Sequence, residues 1–161
     1  MSYDETSKKT LCVVKAMEED LIAKSNDMGK YFHIDFRWMG NQGCGTKQNL
    51  EDFRNNWQLP LRAAFSDRIY NTDKFLVDGE WASCFWHIDA IHSGEFMGIA
   101  PTHKRVKIHY TDFWEVKDGL IIDNWVTVDF PSILSQLGVD VFNGLGWEVF
   151  DRGELEPPKP N

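Results

Sequence analysis

The stretch that most constrains the fold is RVKIHYTDFWEVKDGLIIDNWVTVD, residues 105–129. Two runs of alternating apolar residues flank Asp118-Gly119, and a period of two marks strands with one buried face. Ile108, Tyr110, Trp114 and Val116 share one side of the first run; Leu120, Ile122, Val126 and Val128 share one side of the second. The other sides carry His109, Thr111, Phe113 and Glu115, then Ile121, Asp123, Trp125 and Thr127. Two turns compete. An Asp118-Gly119 loop sets Trp114 opposite Asp123. A Lys117-Asp118-Gly119 loop, with Gly119 left-handed, sets Ile108 opposite Val128, Tyr110 opposite Val126, Trp114 opposite Ile122 and Asp112 opposite Asn124. The second gives every large apolar residue an apolar partner and is the expected register. It makes one face a hydrophobic slab. The other face is aromatic with sparse polar groups, which is the composition of a ligand pocket. The competing reading of that face is core under helices, with Asp123 tied to an arginine such as Arg37.

The rest of the chain supplies the cover. Leu11, Val14, Met17, Leu21 and Ile22 are spaced as one helical face over residues 8–25, stopped by Asn26-Asp27 and Gly29. YFHIDFRW, residues 31–38, alternates as a strand, and GNQGCGT is a loop. Asn49 opens a second helix carrying Leu50, Phe53, Trp57 and Leu61, which Pro60 kinks or divides. DKFLVDGEWASCFWHIDAIHSG is a long hairpin turning at Asp78-Gly79. FPSILSQLG is a closing helix capped by Gly138. Helices followed by a mostly antiparallel sheet give an α+β layout of one domain, residues 1–150, with 151–161 expected as a disordered tail.

Composition excludes several classes. A formal charge of −8 without a basic stripe disfavours nucleic acid as partner. No run of about 18 apolar residues exists to span a membrane. MSYDETSKKT has no apolar signal core, and Cys12, Cys44 and Cys84 make an odd count without metal-site spacing. A cytoplasmic protein with no metal is the expectation. GNQGCGTK has glycines at P-loop spacing, but Thr46-Lys47 inverts the order a phosphate loop needs, so a plain connection is the better reading. His87 and Asp89 share a side while His92 points away, which does not converge on a metal.

HSGEFMGIAPTHKRVKIHYTDFWEVKDGLIIDNWVTVD with SILSQLG, and upstream WMGNQGCGT and LEDFRNNWQLPLRAAFSDR, resembles the SnoaL-like polyketide cyclases. The resemblance covers residues 31–138. It implies a nuclear transport factor 2-like, cystatin-like roll: a cone-shaped curved antiparallel sheet wrapped by N-terminal helices around a deep pocket. It implies cofactor-independent acid/base ring closure of aldol type on a hydrophobic, carbonyl-rich substrate. By position it makes Asp123 the catalytic acid/base and His109 its electrophilic helper, with Trp38, His33, Phe113, Trp125, Thr111 and His92 as substrate-binding candidates. Phe113 and Trp125 would desolvate Asp123 and raise its pKa. His103, Met39 and Asn41 depart from the family pattern. The alternatives are a non-catalytic small-molecule-binding module, or an isomerase or hydrolase using the same pocket. The slab of Tyr110, Trp114, Ile122 and Val126, if uncovered, marks a homodimer interface through the sheet; the tail around Trp147 is the competing cover. An Asp123 clamped by a guanidinium would be a poor proton shuttle.

Overall fold

Asp4 begins the first helix by accepting from the Ser7 N–H at 2.7 Å, satisfying one of the free donors of the first turn. Helix α1 then runs Glu5–Ile22 and buries Ser7, Thr10, Val14 and Met17. The computed structural model describes residues 3–24 and 28–160; Asn26-Asp27, expected as part of the stop signal, lie outside them. The strands are β1 (Phe32–Gly40), β2 (Thr46–Lys47), β3 (Phe65–Asp78), β4 (Trp81–His92), β5 (Arg105–Lys117) and β6 (Leu120–Val128). They form one curved, unclosed sheet in the order β2-β1-β6-β5-β4-β3. All pairings are antiparallel except β1 with β6, which is parallel.

The second helical stretch is a composite: α2 (Leu50–Phe53), a π turn over Arg54–Gln58, and α3 (Leu59–Ala64). Leu59 N–H donates to Arg54 O, five residues back, just before Pro60, which has no N–H to give. The proline therefore divides the helix without ending it. α1 packs across β3 to β6 and α2 against β1, so both helical stretches lie on one face of the sheet. Thr10 Oγ1 donates to Gly79 O at 2.8 Å and Gly79 N–H to Ser7 Oγ at 2.9 Å, tying α1 to the β3–β4 turn. That turn pairs Asp78 with Trp81 and so consists of Gly79-Glu80, one residue later than expected. β3 also starts earlier, at Phe65, through two bulges. The closing helix α4 (Phe130–Gln136) is capped as its sequence indicates, with Gly138 at φ +91° and Val139 N–H reaching back to Leu134 O. A last short helix, α5 (Glu148–Asp151), follows.

The β5–β6 hairpin corrects the expected register. Asp118 and Gly119 both have positive φ, 49° and 78°, which is the two-residue turn whose twist suits a hairpin. Lys117 pairs with Leu120 and Val116 with Ile121; a bulge at Ile122 then sets Glu115 opposite Asp123, Trp114 opposite Asn124 and Phe113 opposite Trp125. Turn chemistry and one bulge win over uninterrupted apolar pairing. The two faces also exchange roles. Val106, Ile108, Tyr110, Asp112, Trp114 and Val116 all point under the helices with Val126 and Val128. The slab is the inner face of the cone, and helices cover it, whereas Trp147 in the tail is 72% exposed. His109, Thr111, Phe113 and Trp125 are on the outer face.

The GNQGCGT loop has a structural job. Asn41 Nδ2 donates to Val128 O and Asn41 Oδ1 accepts from Val128 N–H, each at 3.0 Å, pinning the loop to β6. Gly43, at φ +104°, lies where a Cβ would meet the Phe130 ring at 2.8 Å.

Candidate active site

Between the inner sheet face and the helices lies a cavity of about 720 Å³, within the usual range for small-molecule sites. β1 contributes Phe36 and Trp38, the composite helix Phe53 and Trp57, and the sheet Trp86, Tyr110, Asp112, Trp114, Asn124 and Val126. The walls are aromatic. Trp38 stacks on Trp57 at 5.1 Å between ring centres, and Trp86 is sandwiched by Tyr110 at 4.2 Å and Tyr70 at 6.0 Å. Flat, parallel rings of this kind suit a planar ligand.

One carboxylate interrupts the apolar floor. Asp112 is 3% exposed, midway along β5. Its Oδ1 accepts from Asn124 Nδ2 at 2.8 Å and its Oδ2 from the Trp86 indole N–H. Both donors are neutral, and no ion pair reaches Asp112 among the described residues. Burial raises its pKa from 3.8 to about 6; the hydrogen bonds from Asn124 and Trp86 pull the other way and lose. Beside it, the Tyr110 hydroxyl is buried with no hydrogen-bond partner. Burial pushes that phenol well above its ordinary value, so it keeps its proton and remains a donor. The arrangement offers one carboxyl able to gain and lose a proton near neutrality, inside a dry aromatic hollow.

The sequence-derived residues divide sharply. Trp38 lines the cavity as expected. Asp123 does not, because its strand turns it to the outer face. There Arg37 holds it by two hydrogen bonds, Nε to Oδ1 at 3.0 Å and Nη2 to Oδ2 at 2.7 Å. This is the arginine clamp of the competing reading. His109 also faces outward, ring to ring with His87 at 5.6 Å. Thr111, Phe113 and Trp125 share that outer surface, in a cross-strand cluster with Phe85. Phe85, Phe113 and Trp125 are 57%, 49% and 52% exposed, an open surface and not a pocket wall. His33 accepts from the Asp35 N–H through Nδ1 and lies outside the cavity lining. His92 is fully buried against Phe65, with Nδ1 shared between the Thr102 hydroxyl and N–H; burial lowers its pKa. That is a structural histidine. Asp112 and Tyr110 are the functional candidates that were hidden by taking the opposite face of the hairpin as the pocket. Their signal was present: a lone carboxylate in the same alternation as Ile108, Tyr110, Trp114 and Val116.

The family model for SnoaL-like polyketide cyclases matches residues 14–137. The chain belongs to this family. A nogalonic acid methyl ester cyclase of Streptomyces nogalater is 24% identical over 127 residues, covering 77% of this chain and 92% of that protein. Among solved structures, IdmH of Streptomyces antibioticus, assigned as a polyketide cyclase, superimposes with a TM-score of 0.71 at 21% identity, over 81% of this chain and 99% of its own. AclR of Streptomyces galilaeus, assigned as a hydroxylase, gives a TM-score of 0.71 at 20% identity, over 82% and 86% of the two chains. The shared fold is thus the nuclear transport factor 2-like cone anticipated from the motifs, and by itself it does not select a reaction.

Proposed function

We propose that this SnoaL-like protein is an acid/base cyclase whose proton-transfer group is Asp112, acting without a cofactor on a hydrophobic, carbonyl-rich substrate in the aromatic cavity. The observation that carries the reading is a buried, cation-free carboxyl with a pKa of about 6 on the floor of that cavity. In the ionised form Asp112 removes a proton from a carbon next to a carbonyl. The electron pair moves into the enolate, which attacks a second carbonyl of the same molecule and closes a carbon–carbon bond. The resulting alkoxide takes the proton back from Asp112. Tyr110, protonated and unpartnered, is the donor on hand for the enolate oxygen. Trp38, Trp57 and Trp86 hold the substrate flat and keep water out.

Because one relative is a nogalonic acid methyl ester cyclase, that ester and the corresponding free acid are the first compounds to offer. Turnover by the wild-type protein, abolished in Asp112→Asn while quenching of tryptophan fluorescence still reports binding, supports the proposal. An Asp112→Asn variant with wild-type turnover refutes it.

The same reading includes a homodimer through the sheet, by the face opposite to the one first expected. Phe85, Phe113 and Trp125 form an exposed aromatic patch on the outer surface, which supports pairing there.

A further inference from the structure

We infer that the substrate carries a carboxylate, held at the rim of the cavity by Arg54 and Arg62; this rests on the cavity being the substrate site. Both arginines line the cavity from the composite helix. In an unbroken α-helix, residues eight apart drift by about 80° around the axis. The π turn over Arg54–Gln58 accommodates one extra residue, which removes roughly 100° of rotation and brings Arg54 and Arg62 nearly into line. π turns of this kind recur at functional sites.

The charge balance at the rim is unusual for this chain. The protein carries a net −8, yet on the helical side of the cavity two arginines, Arg54 exposed and Arg62 half-buried, stand against the single carboxylate of Glu51. The arginine ion pairs among the described residues are Arg37–Asp123, Arg105–Asp67 and Arg152–Glu154; Arg54 and Arg62 have none. Arg62 is half-buried in that state. A guanidinium partly withdrawn from water beside an apolar hollow, with its donors unused, fits a planar anion that it can bind in a two-pronged fashion. The resulting ligand has an aromatic, carbonyl-bearing body over Asp112 and an acid group at the entrance.

The test compares an anthraquinone carboxylate with its methyl ester, using quenching of cavity tryptophan fluorescence in the wild-type protein and in R54Q/R62Q. The wild type is expected to bind the carboxylate at least about tenfold tighter than the ester, the scale of one charge-assisted hydrogen bond. The preference should weaken with added salt and vanish in R54Q/R62Q, while ester binding stays. Asp112→Asn should keep the preference, since it removes proton transfer and not the rim. Equal affinity for the two probes in the wild type, or a preference that survives R54Q/R62Q, overturns this inference and leaves the Asp112 reading standing. Failure of both probes to bind would overturn the cavity as substrate site and this inference with it.

Discussion

Asp112→Asn should remove catalysis and at the same time relieve the fold, increasingly so as pH rises. In the folded protein the carboxyl titrates at about 6, against an ordinary value of 3.8. At 1.36 kcal/mol per pH unit, that gap makes the ionised carboxylate a burden of about 3 kcal/mol above pH 6. The sign follows from proton counting. Between about pH 4 and pH 6 the folded state binds more protons at this site than the unfolded state, so wild-type stability from this group falls as pH rises and is fully present only below both values. Asparagine carries no such dependence. It does have an offset: Asn124 and Trp86 donate to different oxygens of Asp112, asparagine puts an NH2 in place of one of them, and one orphaned donor costs about 1–3 kcal/mol. That offset is nearly independent of pH. The robust quantity is therefore the change in the wild-type-to-variant difference, which should move by about 3 kcal/mol in favour of the variant between about pH 3 and pH 8. Urea unfolding followed by tryptophan fluorescence at the two pH values measures it. Stability curves that run parallel across this range would refute the account, because they would place the carboxyl at its ordinary value in the fold.

The same titration predicts that kcat/KM falls as pH drops through about 6, and that Trp86→Phe moves this limb to higher pH, since the lost indole N–H favoured the carboxylate. A pH–rate profile for each protein decides it; an unmoved limb would remove Trp86 as a positioning residue. Asp123→Asn should lower stability through the lost Arg37 clamp and leave turnover near wild type, checked by thermal melting alongside the assay. In sedimentation equilibrium wild type should run as the proposed dimer and Trp125→Lys on the outer face as a monomer, with the cavity unaffected; a monomeric wild type would remove that pairing. Gly43→Ala should cost about 1–3 kcal/mol in denaturant unfolding, because φ there is +104° and the new methyl meets Phe130.

Much of the architecture was legible from period and turn residues. The helical spacing in α1, the alternation of β1, the Gly138 cap and the family motifs together specified an α+β cone. Two things failed: a choice between two local energies at one hairpin and, separately, the assignment of which face of the sheet lines the pocket. Reading Lys117-Asp118-Gly119 as the loop maximised apolar pairing, yet Asp118-Gly119 has the backbone freedom for a two-residue turn, and a bulge at Ile122 absorbs the mismatch. The family motif also placed Asp123 by position before Trp125, and position does not encode which face a bulged strand presents. The Arg37–Asp123 clamp was anticipated as the competing reading of that face. Asp112 was visible as an acidic residue within an apolar alternation. Its value as a proton carrier was not, because that depends on the neutral donors Trp86 and Asn124, which come from two other strands.

The central claim is that Asp112 is a titrating carboxyl inside the substrate cavity. Infrared difference spectroscopy, subtracting Asp112→Asn from wild type across a pH titration, observes that group directly. The account predicts a carboxyl band converting to carboxylate with a midpoint near 6, perturbed when a planar ligand fills the cavity. A carboxylate ionised throughout, or one indifferent to the ligand, would contradict it.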